Sequence, residues 1–187
     1  IEKKDSLIML KKVLDSNYIN EGNLTRLFEK KIEKLLNVKY VATCTSGTAS
    51  IYLALKALGI KNNDEILMPN ITFPATANAI KMAGAKPVLV DINKDNLLMQ
   101  TSDLLKKINK KSRAIIPVHI SGRGSNIKEI LKIAKSKKLF LIEDSAEAFM
   151  SKLDKKYYGT YGDIGCFSLA PNKIITTGQG GLIVTNN

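Results

Sequence analysis

Tryptophan is absent from this sequence, histidine occurs once, at His119, and cysteine twice, at Cys44 and Cys166. Two cysteines are too few for a disulfide framework, and their surroundings lack the further ligands a zinc site needs. Both are expected to be buried small hydrophobes, and no metal centre is expected. No apolar run approaches the roughly 20 residues of a membrane span. The opening Ile1-Glu2-Lys3-Lys4-Asp5 does not lead into a signal-peptide core. The expectation is a cytoplasmic protein without a membrane partner. Arginine is also scarce, confined to Arg26, Arg113 and Arg123, although lysine carries the net charge to +12. Nucleic-acid readers lean on arginine forks and interleaved aromatics. Here the lysines spread over helical segments such as 104–111 and 130–138, filling the solvent face between apolar positions. A nucleic-acid partner is therefore not expected, whereas a positive field suits anionic small molecules.

What is present describes one well-buried domain: 187 residues, 44% hydrophobic and 25% charged. Two amphipathic helical stretches come first, over 3–14 and 23–36, the second with Leu24, Leu27, Phe28, Ile32 and Leu35 on one face. Short apolar runs then alternate with helical segments. Strands are expected at 40–44, 65–68, 87–90, 114–118, 139–142, 165–169 and 181–185, and helices at 50–58, 76–82, 102–108 and 126–135. Such alternation implies an α/β fold, a three-layer α/β/α sandwich with a mostly parallel seven-stranded mixed sheet. The segment between the last two strands is too short and too rich in Gly, Pro and Thr for a crossover helix, so one of the two is expected to run antiparallel. The division expected is a helical segment over 1–36 and the main domain over 37–187. The sequence stops on a strand with nothing downstream to cover it, which reads as one domain of a longer protein, the alternative being a complete small domain that ends on a sheet strand.

Three places carry chemistry. Lys173 is the only charged side chain from Ile164 to Asn187, in a chain one quarter charged. A lysine held there would lack nearby carboxylates to stabilise its ammonium, favouring the neutral amine that carbonyl chemistry needs. A lysine snorkelling out of a neutral loop reads equally well. The segment Thr43-Cys44-Thr45-Ser46-Gly47-Thr48-Ala49-Ser50 joins the first strand to a helix, and its free amides and hydroxyls suit either a phosphate cradle or a plain Ser/Thr cap. It is neither a Walker loop nor a dinucleotide fingerprint. The fifth strand runs into Glu143-Asp144-Ser145-Ala146-Glu147, placing acids at a strand's carboxyl end, where open α/β sheets bind ligands. Glu143 and Glu147 also fit as surface caps at a helix start. His119, beside Val118 and Ile120 on a strand, is read as a structural hydrogen-bonding residue rather than a catalytic one.

Taken in order, these segments resemble the DegT/DnrJ/EryC1/StrS family of sugar aminotransferases, fold-type-I enzymes dependent on pyridoxal 5'-phosphate (PLP). The matching stretches are Thr45-Ser46-Gly47-Thr48-Ala49, Pro69-Asn70-Ile71-Thr72-Phe73-Pro74-Ala75-Thr76-Ala77-Asn78-Ala79, Pro117-Val118-His119, Glu143-Asp144-Ser145-Ala146-Glu147, Gly162-Asp163-Ile164-Gly165-Cys166-Phe167-Ser168 and Pro171-Asn172-Lys173-Ile174-Ile175-Thr176-Thr177-Gly178-Gln179-Gly180-Gly181. The resemblance implies that residues 37–187 form the PLP-binding large domain, without the smaller C-terminal domain. It implies that Lys173 forms the Schiff base to the cofactor and shuttles the proton, and that Asp144 binds the pyridinium nitrogen. It further implies that the Thr48 and Ala49 amides and the Ser168 hydroxyl hold the phosphate, and that Phe73 stacks on the ring. Glu147 falls near the phenolic oxygen, where many members carry Gln or His.

The reaction implied moves an amino group from an amino-acid donor, glutamate, to the keto carbon of a nucleotide-linked deoxysugar, in a homodimer. Relatives with histidine at the position of Lys173 act as dehydratases, so the lysine favours transamination. The alternative is a shortened homologue that binds PLP without turnover, in a regulatory or structural role.

Overall fold

A computed structural model describes residues 3–16 and 21–187. In chain order the elements are α1 (Lys3–Asp15), α2 (Asn23–Leu36), β1 (Tyr40–Cys44), α3 (Gly47–Ala57), β2 (Glu65–Pro69), α4 (Ala75–Met82), β3 (Lys86–Val90) and α5 (Thr101–Lys107). There follow β4 (Ser112–Ile115), a 3₁₀ turn (Ile120–Gly122), α6 (Ile127–Lys137), β5 (Phe140–Asp144), β6 (Lys152–Leu153), β7 (Lys156–Tyr157), β8 (Ile164–Ser168) and β9 (Gly181–Thr185).

Seven strands form one sheet in the order β1-β9-β8-β5-β4-β2-β3. Only β9 is antiparallel to its neighbours, β1 and β8; the remaining pairings are parallel. The antiparallel strand is therefore the last one, reached from β8 through a loop rather than a helix. Strand alternation sorts the side chains into two layers. On one face Ile66, Met68, Ala114, Ile116, Ile142 and Cys166 pack against Ile51, Ala54 and Leu55 of α3 and Ala79 and Ile80 of α4. On the other, Leu67, Ile115 and Leu141 meet Leu104 of α5 and Ile127, Ile130 and Ile133 of α6. Further along that second face, Ile32 and Leu36 of α2 cover Phe167, Leu182 and Val184. The result is the expected three-layer sandwich.

Several boundaries differ from the sequence expectation. The fourth strand was expected over 114–118, but β4 ends at Ile115. Ile116 N–H still reaches Leu67 O at 2.8 Å, after which Pro117 has no N–H to give and the ladder lapses to a single bridge between Val118 and Asp144. His119 consequently lies at the start of the 3₁₀ turn and not on a strand. The α3 helix begins at Gly47, because Ser46 in extended conformation caps it by accepting the Ala49 N–H at 3.1 Å. The β6–β7 hairpin has two-residue strands, too short for an apolar period to show. Cys166 is buried as expected but Cys44 only partly so. Burial pushes both thiols up. In α1, Leu7, Ile8, Leu10 and Leu14 are exposed. Among the described residues no helix is long and apolar enough to cross a membrane.

Candidate active site

Because β9 alone is reversed, the carboxyl ends of β1, β5 and β8 gather at one edge of the sheet together with the start of α3. A cavity of about 470 Å³ opens there, within the roughly 300–1,000 Å³ typical of small-molecule sites. Thr48, Phe73, Asp144, Glu147, Ser168 and Lys173 line it, six of the seven residues singled out from the sequence; Ala49 does not.

One end is an amide cradle. Gly47 and Thr48 begin α3, so their N–H groups have no acceptor four residues back. The Ala49 N–H is taken by Ser46 Oγ. The cradle sits against β8 and β9 because glycines allow it. Cys44, Gly181 and Ser168 share one row across β1, β9 and β8. A Cβ on Gly181 would lie 2.3 Å from Ser46 O, and one on Gly47 would lie 2.8 Å from Ser168 Cβ. The Ser168 hydroxyl is thereby brought beside unpaired amides at a positive helix terminus, an arrangement suited to an anion.

Asp144, beside Cys166 on the neighbouring strand, also lines the cavity. Its side chain shares a sheet face with Ser168 and is 5% exposed. Oδ2 accepts from the Thr76 hydroxyl at 2.7 Å and Oδ1 from the Ala146 N–H at 3.2 Å. Burial raises its pKa, outweighing the lowering by these two hydrogen bonds and by His119 and Lys173. A carboxylate in that condition lacks full counter-charge. Thr76, which Thr72 meets in turn at 2.9 Å, was not singled out from the sequence. Thr76 lies in the first turn of α4 and Thr72 in the bend before it, so no helical period marks the pair in the sequence.

Lys173 lines the same cavity. It follows β8 in a loop closed at its base by Leu169 N–H to Gly180 O at 2.9 Å and Thr177 N–H to Leu169 O at 3.2 Å. Its side chain is 14% exposed, and its Nζ lies 3.4 Å from Glu147 Oε1. The expectation that no carboxylate would stand near this amine is corrected. The neutral stretch of sequence is met in space by an acid 26 residues upstream. Glu147 is tethered through Oε2 to the Ser121 N–H at 2.8 Å. Phe73 is 73% exposed at the cavity wall, offering an aromatic face.

Glu143 is no surface cap: it is fully buried on the opposite face of β5, 2.9 Å from the equally buried His119 Nε2. His119 does not line the cavity, in keeping with a structural role.

The profile of the DegT/DnrJ/EryC1/StrS aminotransferase family matches residues 1–187. The GDP-perosamine synthase of Escherichia coli O157:H7 is 46% identical over 175 residues, 93% of this chain and 48% of that protein. Among solved structures, Bacillus subtilis NtdA with bound cofactor PMP superposes with a TM-score of 0.93 at 34% identity, over 98% of this chain and 42% of its own. A Streptococcus pneumoniae sugar aminotransferase in its PLP form gives 0.96 at 25% identity, over all of this chain and 52% of its own. The chain spans about half the length of the relatives it matches.

Proposed function

The chain belongs to the DegT/DnrJ/EryC1/StrS aminotransferase family, and from that premise we propose that it is the cofactor-binding part of a PLP-dependent sugar aminotransferase. The reaction is transfer of an amino group from an amino-acid donor, glutamate, to the keto carbon of a nucleotide-linked deoxysugar. The observation that carries this reading is the set of groups lining one cavity: an amide cradle for an anion, an amine, and a buried carboxylate short of counter-charge. These suit the phosphate, the aldehyde carbon and the ring nitrogen of PLP.

When bound, PLP supplies the electron sink that no side chain can. Gly47 and Thr48, through their amides, and Ser168, through its hydroxyl, hold the phosphate; the Ala49 amide, engaged by Ser46, supports the helix start. Asp144 would hold the ring nitrogen in its protonated form, and the cation so gained would relieve its own desolvation. Phe73 would offer its aromatic face to the ring. Lys173, through its Nζ, would be the group that condenses with the aldehyde of PLP, with loss of water, and would serve as the acid and base of the reaction, with Glu147 Oε1 at 3.4 Å keeping it in place. Residues 37–187 serve as the PLP-binding large domain, with α2 packed on its sheet. The nucleotide-linked substrate is a soluble anion, which fits a cytoplasmic homodimer with a positively charged surface.

A spectral titration tests the proposal. Protein loaded with PLP is expected to lose its near-visible band on adding glutamate and regain it on adding a keto-sugar nucleotide. Binding of PLP with no response to either compound would instead mark a PLP-binding homologue without turnover. A colourless protein that takes up no PLP would contradict both readings.

A further inference from the structure

Glu143 and Asp144 are consecutive on β5, and strand alternation sends their side chains to opposite faces of the sheet. Asp144 faces the cavity, whereas Glu143 is wholly buried on the other face. A buried carboxylate is costly unless its acceptor positions are filled. Among the described residues no lysine or arginine pairs with Glu143. Four donors converge on it instead. Oε2 accepts from His119 Nε2–H at 2.9 Å and from Gly159 N–H at 2.8 Å. Oε1 accepts from Tyr161 N–H at 2.6 Å and from Gly162 N–H at 2.7 Å. Those are as many bonds as an ionised carboxylate has sites for.

His119 is equally committed. Its Nδ1 accepts the Ser125 N–H at 3.1 Å, which leaves the ring proton on Nε2, pointing at Glu143. The Tyr158 ring lies against it, centroids 4.4 Å apart. The backbone N–H of His119 donates to Asp144 O at 3.0 Å, and Asp144 N–H donates to Pro117 O at 3.0 Å. One residue thus holds Glu143 by its side chain and Asp144 by its main chain. An apolar pair would fill this volume without desolvating a carboxylate. What the polar pair adds is direction, applied at the strand end that presents Asp144.

We propose that Glu143 and His119 are positioning residues for Asp144, their buried hydrogen-bonded pair fixing the depth at which that carboxylate meets the cofactor ring. The inference rests on the reading above, that Asp144 binds the ring nitrogen of PLP. His119→Phe keeps a flat ring and removes both side-chain hydrogen bonds, whereas His119→Gln keeps an amide N–H for Glu143. In the full-length protein, His119→Phe is expected to bind PLP about tenfold more weakly, the worth of one hydrogen bond to a charged group. Its near-visible absorbance maximum should be displaced, and His119→Gln should restore most of both. Glu143→Gln, which turns an NH₂ group toward backbone N–H donors, should displace the maximum as well; it carries the test if His119→Phe does not fold. A readout independent of cofactor is the ¹⁵N spectrum of histidine-labelled protein, in which the signal missing from His119→Gln should report the Nε2–H tautomer.

Wild-type affinity and absorbance in folded His119→Phe, or in Glu143→Gln, would overturn the positioning role while leaving PLP binding by the parent intact. An Nδ1–H tautomer would overturn it too. Wild-type protein that takes up no PLP would remove the underlying reading and this inference together.

Discussion

At the scale of single residues the site combines groups that are costly when PLP is absent. Asp144 is the clearest: burial raises its pKa above the ordinary value of 3.8, so the fold favours its protonated form. The stability this gives is complete below the ordinary value and is lost as pH rises through the raised one. In cofactor-free protein, Asp144→Asn is therefore expected to melt higher than wild type at pH 7, with the gap closing near pH 4, and to bind PLP poorly. Paired melting curves at the two pH values check this. Coincident curves at pH 7 would show that the buried charge carries no such cost. Lys173 shows why part of the site could not be read from sequence. Its isolation among neutral neighbours was visible, but Glu147 and Thr76, the residues that meet Lys173 and Asp144, lie 26 and 68 positions away in the chain. Contacts of that separation depend on which strand ends are adjacent, which periodicity does not specify.

At the scale of elements, the cradle depends on α3 beginning at Gly47 and on β9 running backwards between β1 and β8. Two substitutions separate these causes. Ser46→Ala removes the helix cap and is expected to cost about 0.5–2 kcal/mol of stability, measured by urea unfolding, with the Gly47 and Thr48 amides still available to PLP. Gly181→Ala would drive a Cβ into the Ser46 carbonyl. Because main chain must move, it should cost about 1–3 kcal/mol and weaken PLP binding in equilibrium dialysis well beyond Ser46→Ala. Equal PLP affinity in the two variants would mean that the approach of α3 to β9 does not set the cradle. The strands were legible because each is a short apolar run bounded by turn residues. The end of β4 was not, since Ile116-Pro117-Val118 continues the apolar pattern while Pro117 lacks the N–H to continue the ladder.

At the scale of the whole molecule, the alternation of runs was enough to give the layered α/β architecture, and the missing crossover before β9 was enough to give its one reversal. Charge was less informative. Many of the lysines that set the net +12 lie on helices, and among the described residues Lys173 is the one lysine that lines the cavity. Lys173 is therefore the residue on which the proposed function rests. Borohydride reduction of PLP-loaded full-length protein, followed by proteolysis and mass spectrometry, tests it most directly. The account predicts a pyridoxyl-phosphate adduct on the peptide containing Lys173, absent in Lys173→Ala, whose turnover should fall by roughly 10²–10⁴-fold or more. An adduct on another lysine, or an unmodified Lys173 in protein that has bound PLP, would contradict it.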